Sequence, residues 1–221
     1  MTLYLIDMAG VAVFAVSGVL AAGRKKLDLF GVVVLALVTA IGGGTLRDVL
    51  MDRGQVFWMT DPTYLVVITV VALATVQWVK HRPTPDHALE LADAAGLAFF
   101  VIGGARIAQD AGLPGISVVV MGMMTGVAGG VVRDVLTTEI PFILRHRQLY
   151  ATAAIAGVVT YLLLGRVGVP NTAAGLIGMA TTFTLRLGSI YLGLRVPAFD
   201  YGGPPDSGDR GAAEGTGTDP D

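Results

Sequence analysis

Two similar motifs, each at or near the end of an apolar run of membrane length, constrain this chain most. The motif at 42–50 reads GGGTLRDVL, and the motif at 128–136 reads AGGVVRDVL. A glycine weakens a helix interior by about 1 kcal/mol relative to alanine, and charge at membrane depth needs a partner. Glycines beside an Arg–Asp pair therefore indicate a helix break at a polar cavity. Tight helix packing followed by a solvated loop is the alternative for either copy.

The composition is that of an integral membrane protein. Of its 221 residues, 53% are hydrophobic and only 14% are charged, too apolar a balance for an ordinary soluble domain. The chain has no cysteine, which excludes disulfides, Cys-ligated metal and thiol catalysis. No basic cluster with interleaved aromatics indicates a nucleic-acid partner. The first apolar run has no basic segment before it and no cleavage site, so we expect no removable signal peptide.

Hydropathy predicts an all-α integral membrane protein with seven transmembrane helices. The predicted spans are 2–22, 29–50, 62–79, 89–109, 113–137, 148–165 and 170–194. They form one transmembrane domain over 1–197. The remaining stretch, 198–221, is rich in Gly, Pro and Asp with few large apolar residues, which predicts a disordered acidic tail.

The chain is internally duplicated, because a shift of 86 positions superimposes 3–79 on 89–165 without a gap. The shift aligns Asp7 with Asp93, Gly43 with Gly129, Arg47 with Arg133, Asp48 with Asp134 and Tyr64 with Tyr150. Each repeat contains three predicted spans, and the seventh, 170–194, has no counterpart. Since three is odd, the two repeats should have inverted topology about an axis in the membrane plane.

The distribution of basic residues predicts the orientation. Eight of them lie on one side of the predicted spans: Arg24, Lys25, Lys26, Lys80, Arg82, Arg145, Arg147 and Arg195. By the positive-inside rule this side is cytoplasmic. We therefore expect a multi-pass protein of the cell inner membrane with its N-terminus outside and its acidic C-terminus in the cytoplasm.

Charged residues at membrane depth are the candidate site residues. They are Asp7, Asp93, Arg47 with Asp48, and Arg133 with Asp134. We predict that Asp7 pairs with Arg47 and Asp93 with Arg133, because an unpaired charge in the bilayer is costly and the repeat makes the two pairs equivalent. The alternative is that these charges lie in the headgroup zone and contact water or lipid phosphate.

No arrangement typical of an enzyme is present in the sequence. His81, His87 and His146 lie in predicted loops without metal-ligand spacing. The serines lack a nucleophile elbow, and the glycine triplet lacks the lysine of a phosphate-binding loop. We therefore predict no catalytic residue, no cofactor and no metal site of this kind.

The duplicated glycine motif followed by Arg-Asp, and the seven spans with the first six duplicated, resemble the TRIC family of trimeric intracellular cation channels. The resemblance covers about 3–194 and is to the prokaryotic branch, whose members are also described as glycine-transporter-like proteins. It implies a homotrimer in lipid, with one pore in each protomer that conducts monovalent cations, potassium and also sodium. The second and fifth spans would line that pore, bent at their glycines.

The resemblance places the pore bends at Gly42, Gly43 and Gly44 and at Gly129 and Gly130, with Ala128 where a first glycine would stand. A secondary transporter of a small solute such as glycine is the alternative function, and a scaffold without conduction is a third. If the glycines mark bends, Gly43→Ala or Gly129→Ala should reduce conductance while stability stays level or rises.

Overall fold

The structure is a computed structural model that describes residues 2–144 and 149–194, and over these ranges it is helical, as predicted. Its α-helices are α1 (Thr2–Arg24), α2 (Leu29–Leu50), α3 (Phe57–Thr60), α4 (Thr63–His81), α5 (Ala88–Asp110), α6 (Gly115–Leu136), α7 (Ala151–Arg166) and α8 (Asn171–Tyr191). A short 3₁₀ helix, Phe142–Leu144, follows α6. The predicted tail, 198–221, and the residues Arg145, His146, Arg147 and Arg195 lie outside the described ranges.

Six of the helices in these ranges are long and apolar enough to cross a membrane, namely α1, α2, α4, α5, α6 and α8. The helix α7 has 16 residues and is about 24 Å long at 1.5 Å per residue, less than the hydrocarbon thickness of about 30 Å. It is shorter than the predicted span 148–165 because Leu149 and Tyr150 precede the helix instead of continuing it. Tyr150 is its N-cap residue, and the hydroxyl of that side chain faces Asp93.

Two helix ends show why the chain turns where it does. After α5, Gly112 has a φ of 75°, its N–H donates to Gln109 O, and Leu113 N–H donates to Ala108 O. After α7, Gly168 has a φ of 85°, and the equivalent pair of bonds forms from Gly168 N–H to Gly165 O and from Val169 N–H to Leu164 O. Glycine adopts this left-handed conformation without the steric cost of a Cβ. The turn lets the N–H groups that follow the helix donate to its last carbonyls, and the helix ends there.

The helix α5 is the centre of the fold and packs against α1, α6, α7 and α8. Small residues make this possible, because a Cβ on Gly96 would collide with the ring of Phe14. Phe14 in turn stacks on Phe100 with ring centroids 5.3 Å apart. These two phenylalanines occupy equivalent positions of the two repeats, so the first helices of the two halves meet through the same residue.

The glycine-rich runs do not interrupt their helices. The helix α2 continues through Gly42, Gly43 and Gly44, and α6 continues through Gly129 and Gly130. A helix break, which the sequence predicted here, is therefore wrong for this structure. The physical reason is that glycine has no side chain, which allows the backbones of α2 and α6 to come into close contact.

Candidate functional site

The helices α2 and α6 cross at Gly43 and Gly129 with their backbones in contact. A Cβ on Gly43 would collide with the carbonyl oxygen of Thr125, and a Cβ on Gly129 would collide with the carbonyl oxygen of Thr39. Thr39 and Thr125 are fully buried and equivalent in the repeat, so the two contacts are reciprocal. Close packing, the alternative given above for each glycine run, explains both positions.

The residues on either side of Gly43 and Gly129 do not contact the backbone of the opposite helix as tightly as these two glycines do. A Cβ on Gly42 would make an ordinary contact at 3.4 Å with the Cα of Gly129. Ala128, the counterpart of Gly42, is half-buried and therefore carries its methyl group without difficulty. Gly44 lies under the ring of Phe57, whereas Gly130 lies against polar atoms, because a Cβ there would be 3.1 Å from Asp93 Oδ1 and 3.2 Å from the Tyr150 hydroxyl.

A fully buried charge cluster lies where α6 ends. Arg133 Nη1 is 2.8 Å from Asp93 Oδ1 and also donates to Ser17 Oγ. Its Nε donates to Asp134 Oδ1 at 2.8 Å. The predicted Asp93–Arg133 pair is therefore present, and Asp134 forms the second ion pair of the same guanidinium.

The segment after α6 folds back over this cluster. Phe142 N–H donates to Asp134 Oδ2 at 3.0 Å, and the Phe142 ring lies 5.0 Å from Arg133 Cζ. The hydrogen bond fixes the carboxylate, and the ring shields the guanidinium from solvent, so both charges are held in a low-dielectric surrounding.

The first half repeats this arrangement where α2 ends. Arg47 Nε and Nη2 are each 2.9 Å from Asp48 Oδ1, and Phe57 N–H donates to Asp48 Oδ2 at 3.0 Å. The Phe57 ring lies 5.8 Å from Arg47 Cζ. The Arg-Asp dipeptide, which hydropathy alone would assign to a helix end, therefore forms the same closed unit twice.

The predicted Asp7–Arg47 pair is not an ion pair at contact distance among the described residues, although Arg47 is close enough to act electrostatically on the Asp7 carboxylate. Among the described side chains, the ion-pair partner of Arg47 is Asp48, and Asp7 Oδ2 accepts a hydrogen bond of 2.7 Å from the Tyr64 hydroxyl. Asp7 is only half-buried, whereas Asp93 is fully buried. A carboxylate that keeps contact with solvent and has a hydroxyl donor does not require a buried cation, which is why the repeat is not matched here.

Sequence reasoning missed Arg186 of α8, which is 1% exposed. Its guanidinium carbon lies 4.5 Å from the centre of the Tyr150 ring, and its Nη2 lies 3.8 Å from Asp93 Oδ2. The signal was available, because Arg186 is the one charged residue in the sequence 171–191. A lone arginine inside an apolar span indicates a buried partner.

The cluster of Arg133, Asp93 and Asp134 borders a small polar cavity of about 110 Å³. Asp134 and Thr137 line it together with Lys25 and Glu139, whose side chains form an ion pair of 2.6 Å. At the end of α6 there is therefore room for water molecules beside the Asp134 carboxylate, which is also paired with Arg133. Arg24 and Lys25 on its wall balance the carboxylates of Asp134 and Glu139, so the cavity is polar without an excess of either charge.

Comparison with known families supports the internal repeat. A family model described as "Glycine transporter" matches the chain twice, at residues 4–80 and 90–166, which together are well over half of it. The two matches are offset by the same 86 positions as the repeat in the sequence.

Bacterial relatives cover nearly the whole chain. The inner membrane protein YadS of Escherichia coli K12, described as UPF0126, is 46% identical over 201 residues, which are 90% of this chain and 97% of YadS. A UPF0126 membrane protein of Vibrio cholerae is 47% identical over 89% of this chain and 82% of its own length.

Solved structures with the same fold are TRIC channels. The TRIC trimeric intracellular cation channel orthologue from Rhodobacter sphaeroides superimposes with a TM-score of 0.83 at 36% identity, covering 87% of this chain and 99% of that one. The chain belongs to the TRIC family. A prokaryotic TRIC channel crystallised in 0.5 M KCl matches this TRIC protein with a TM-score of 0.82 at 31% identity over 89% of the chain.

Proposed function

We propose that this TRIC protein is a channel for monovalent cations, potassium and also sodium, and that it works as a homotrimer with one pore in each protomer. The observation that carries the proposal is the reciprocal crossing of α2 and α6, with a neutralised Arg–Asp cluster at the end of each helix. The solved relatives, which are described as trimeric cation channels, support it.

In this proposal the pathway follows the seam between α2 and α6, along Gly42, Gly43 and Gly44 and along Ala128, Gly129 and Gly130. In the structure the carbonyls of Thr39 and Thr125 lie against the glycines opposite them. If the two helices separate at this seam, these carbonyls become accessible, and the second lone pair of each can replace part of an ion's hydration shell.

The arginines of the motifs do not oppose cation conduction, because each is neutralised. Arg47 is paired with Asp48, and Arg133 with Asp93 and Asp134. An unpaired arginine beside the pathway would repel a cation, whereas these ion pairs leave little net positive charge.

We infer seven spans, counting α7, with inverted repeats, the N-terminus outside and the C-terminus in the cytoplasm. Contacts between basic and acidic residues support one common side for the ends of α1 and α6 and the start of α5. Arg24 at the end of α1 is 3.8 Å from Glu90, and Lys25 is 2.6 Å from Glu139. These contacts fit helices that alternate in direction across a membrane.

Membrane lipid is the second proposed partner. A groove of about 580 Å³ is lined by apolar residues of α1, α2 and α4 and by Arg24, Lys26 and Lys80. The basic residues lie at helix ends, the depth at which phospholipid headgroups are found.

Reconstitution tests the function. In planar bilayers the purified protein should give discrete current steps in KCl, and native mass measurement in mild detergent should give a trimer. The family model described as "Glycine transporter" favours a second candidate, a secondary transporter. That function would instead give saturable uptake of radiolabelled glycine into liposomes, with no discrete steps.

A further inference from the structure

Arg186 is a buried cation without hydrogen bonds. Its side chain is 1% exposed, and none of its three guanidinium nitrogens has a hydrogen-bond partner in the described structure. The ring of Tyr150 lies against one face of the guanidinium. A desolvated guanidinium is costly unless an opposite charge compensates it, so the position of Arg186 depends on the carboxylate it faces.

That carboxylate, Asp93, uses its two oxygens differently. Oδ1 lies 2.8 Å from Arg133 Nη1 and 3.3 Å from the Tyr150 hydroxyl. Within the described ranges Oδ2 accepts no hydrogen bond, and Arg186 Nη2 lies 3.8 Å from it. This separation is too long for a hydrogen bond but short enough for a strong Coulomb interaction in a buried site.

Among the residues that the structure describes, the other half of the molecule has no counterpart of Arg186. There Asp7 accepts from Tyr64, and the buried cation is Arg47 alone, with the largely exposed Arg53 3.6 Å from Asp48. In the second half, Asp93 and Asp134 face Arg133 and Arg186. Counting described side chains only, the repeat by itself would give this buried cluster one excess negative charge. Arg186 on α8, which lies outside the repeat, supplies the balancing positive charge.

We propose that Arg186 is a tethered cation that faces the free oxygen of Asp93 and keeps a permeating cation from binding there. The proposal rests on the proposed function, because it requires Asp93 to border the cation pathway. A buried carboxylate with excess negative charge binds a monovalent cation tightly, whereas conduction requires an ion to leave as readily as it enters. Arg186 would therefore weaken ion binding at this end of the pathway but not at Asp7.

Thermal unfolding of the purified protein tests this without any flux measurement. Arg186→Gln keeps much of the side-chain volume and removes the charge. Its melting temperature should be lower than that of the wild type in choline chloride. KCl at equal ionic strength should then raise it by on the order of 2–4 °C more than it raises the wild type, because potassium replaces the lost cation.

Two further variants separate charge from packing. Arg186→Lys retains the cation and should respond to potassium as the wild type does. In the double variant Arg186→Gln with Asp93→Asn, the extra response to potassium should disappear, since the site has lost its carboxylate.

Three results would overturn the proposal: equal melting temperatures of Arg186→Gln in the two salts, an undiminished potassium response in the double variant, or failure to recover folded Arg186→Gln even in KCl. Each would mean that Arg186 serves only to pack on Tyr150 and fill the space beside it. By contrast, a potassium response in Arg186→Gln together with an absence of conduction in the wild type would reject the proposed function, and Arg186 would then only keep a cation from binding at Asp93, with no role in permeation.

Discussion

The carbonyl oxygen of Thr125 occupies the space that a Cβ on Gly43 would need. Gly43→Ala should therefore lower the melting temperature, because overpacking against rigid backbone costs about 1–3 kcal/mol, more than the gain of about 1 kcal/mol in helix propensity. This reverses the expectation from sequence that stability would stay level or rise. Gly129→Ala, which meets Thr39 in the same way, should behave alike.

The matched control for both variants is Gly103→Ala. Gly103 is also a buried helical glycine, but a Cβ there meets no atom within 4 Å. Its melting temperature should stay level or rise. Equal stability of Gly43→Ala and Gly103→Ala would show that the α2–α6 crossing is looser than the structure indicates.

Arg133→Gln should destabilise the protein more than Arg47→Gln. The first change leaves the fully buried Asp93 and Asp134 without their main cation, and breaking a buried ion pair from one side costs about 3–5 kcal/mol. After the second change Asp48 retains Arg53 at 3.6 Å. Denaturant unfolding in detergent measures both, and a larger loss for Arg47→Gln would contradict the greater burial of the second cluster.

Lys25→Gln should change conductance with little change in stability. The Lys25–Glu139 pair is partly exposed, and such pairs contribute at most about 1 kcal/mol. Lys25 also lines the cavity beside Asp134, so removing its charge should raise the local concentration of cations and the conductance at low salt. The increase should vanish in about 1 M KCl, where the screening length is about 3 Å.

The control for that measurement is Lys80→Gln, which removes the same charge from a groove that Asp134 does not line. Its conductance at low salt should match the wild type. An equal rise in both variants would point to a general surface potential rather than to this cavity.

The absence of cysteine makes the topology directly testable by labelling single cysteines with a membrane-impermeant maleimide. Arg53, Arg82 and Arg166 are exposed at helix ends or in loops. Arg53→Cys and Arg166→Cys should be labelled in spheroplasts, and Arg82→Cys only after permeabilisation. Labelling of Arg166→Cys only after permeabilisation would mean that α7 does not cross the membrane.

The positions of the helices were largely predictable, because a membrane span is defined by the length and composition of one continuous segment. The predicted 29–50 and the observed α2, Leu29–Leu50, have the same bounds. The exception is α7, which begins at Ala151, so that Leu149 and Tyr150 of the predicted span 148–165 lie outside the helix.

Whether the glycines break their helices or pack against another helix could not be predicted from the segment that contains them. A glycine run weakens a helix wherever it stands, but whether the helix breaks depends on what lies opposite. Here Thr125 and Thr39 lie opposite, and their approach makes the continuous helix the better solution. Asp93 with Arg133 could be predicted from the repeat, whereas Arg186 lies outside the repeat and its partners are on other helices.

The stack of Phe14 on Phe100 and the paired contacts of Gly43 and Gly129 join equivalent residues of the two halves, as an isologous dimer interface would. Such an interface is complete once two copies of one surface meet. The connection 82–87 therefore acts mainly as a tether that holds the halves at high effective concentration. Cutting the chain there and producing the two pieces together should leave the joint between them intact.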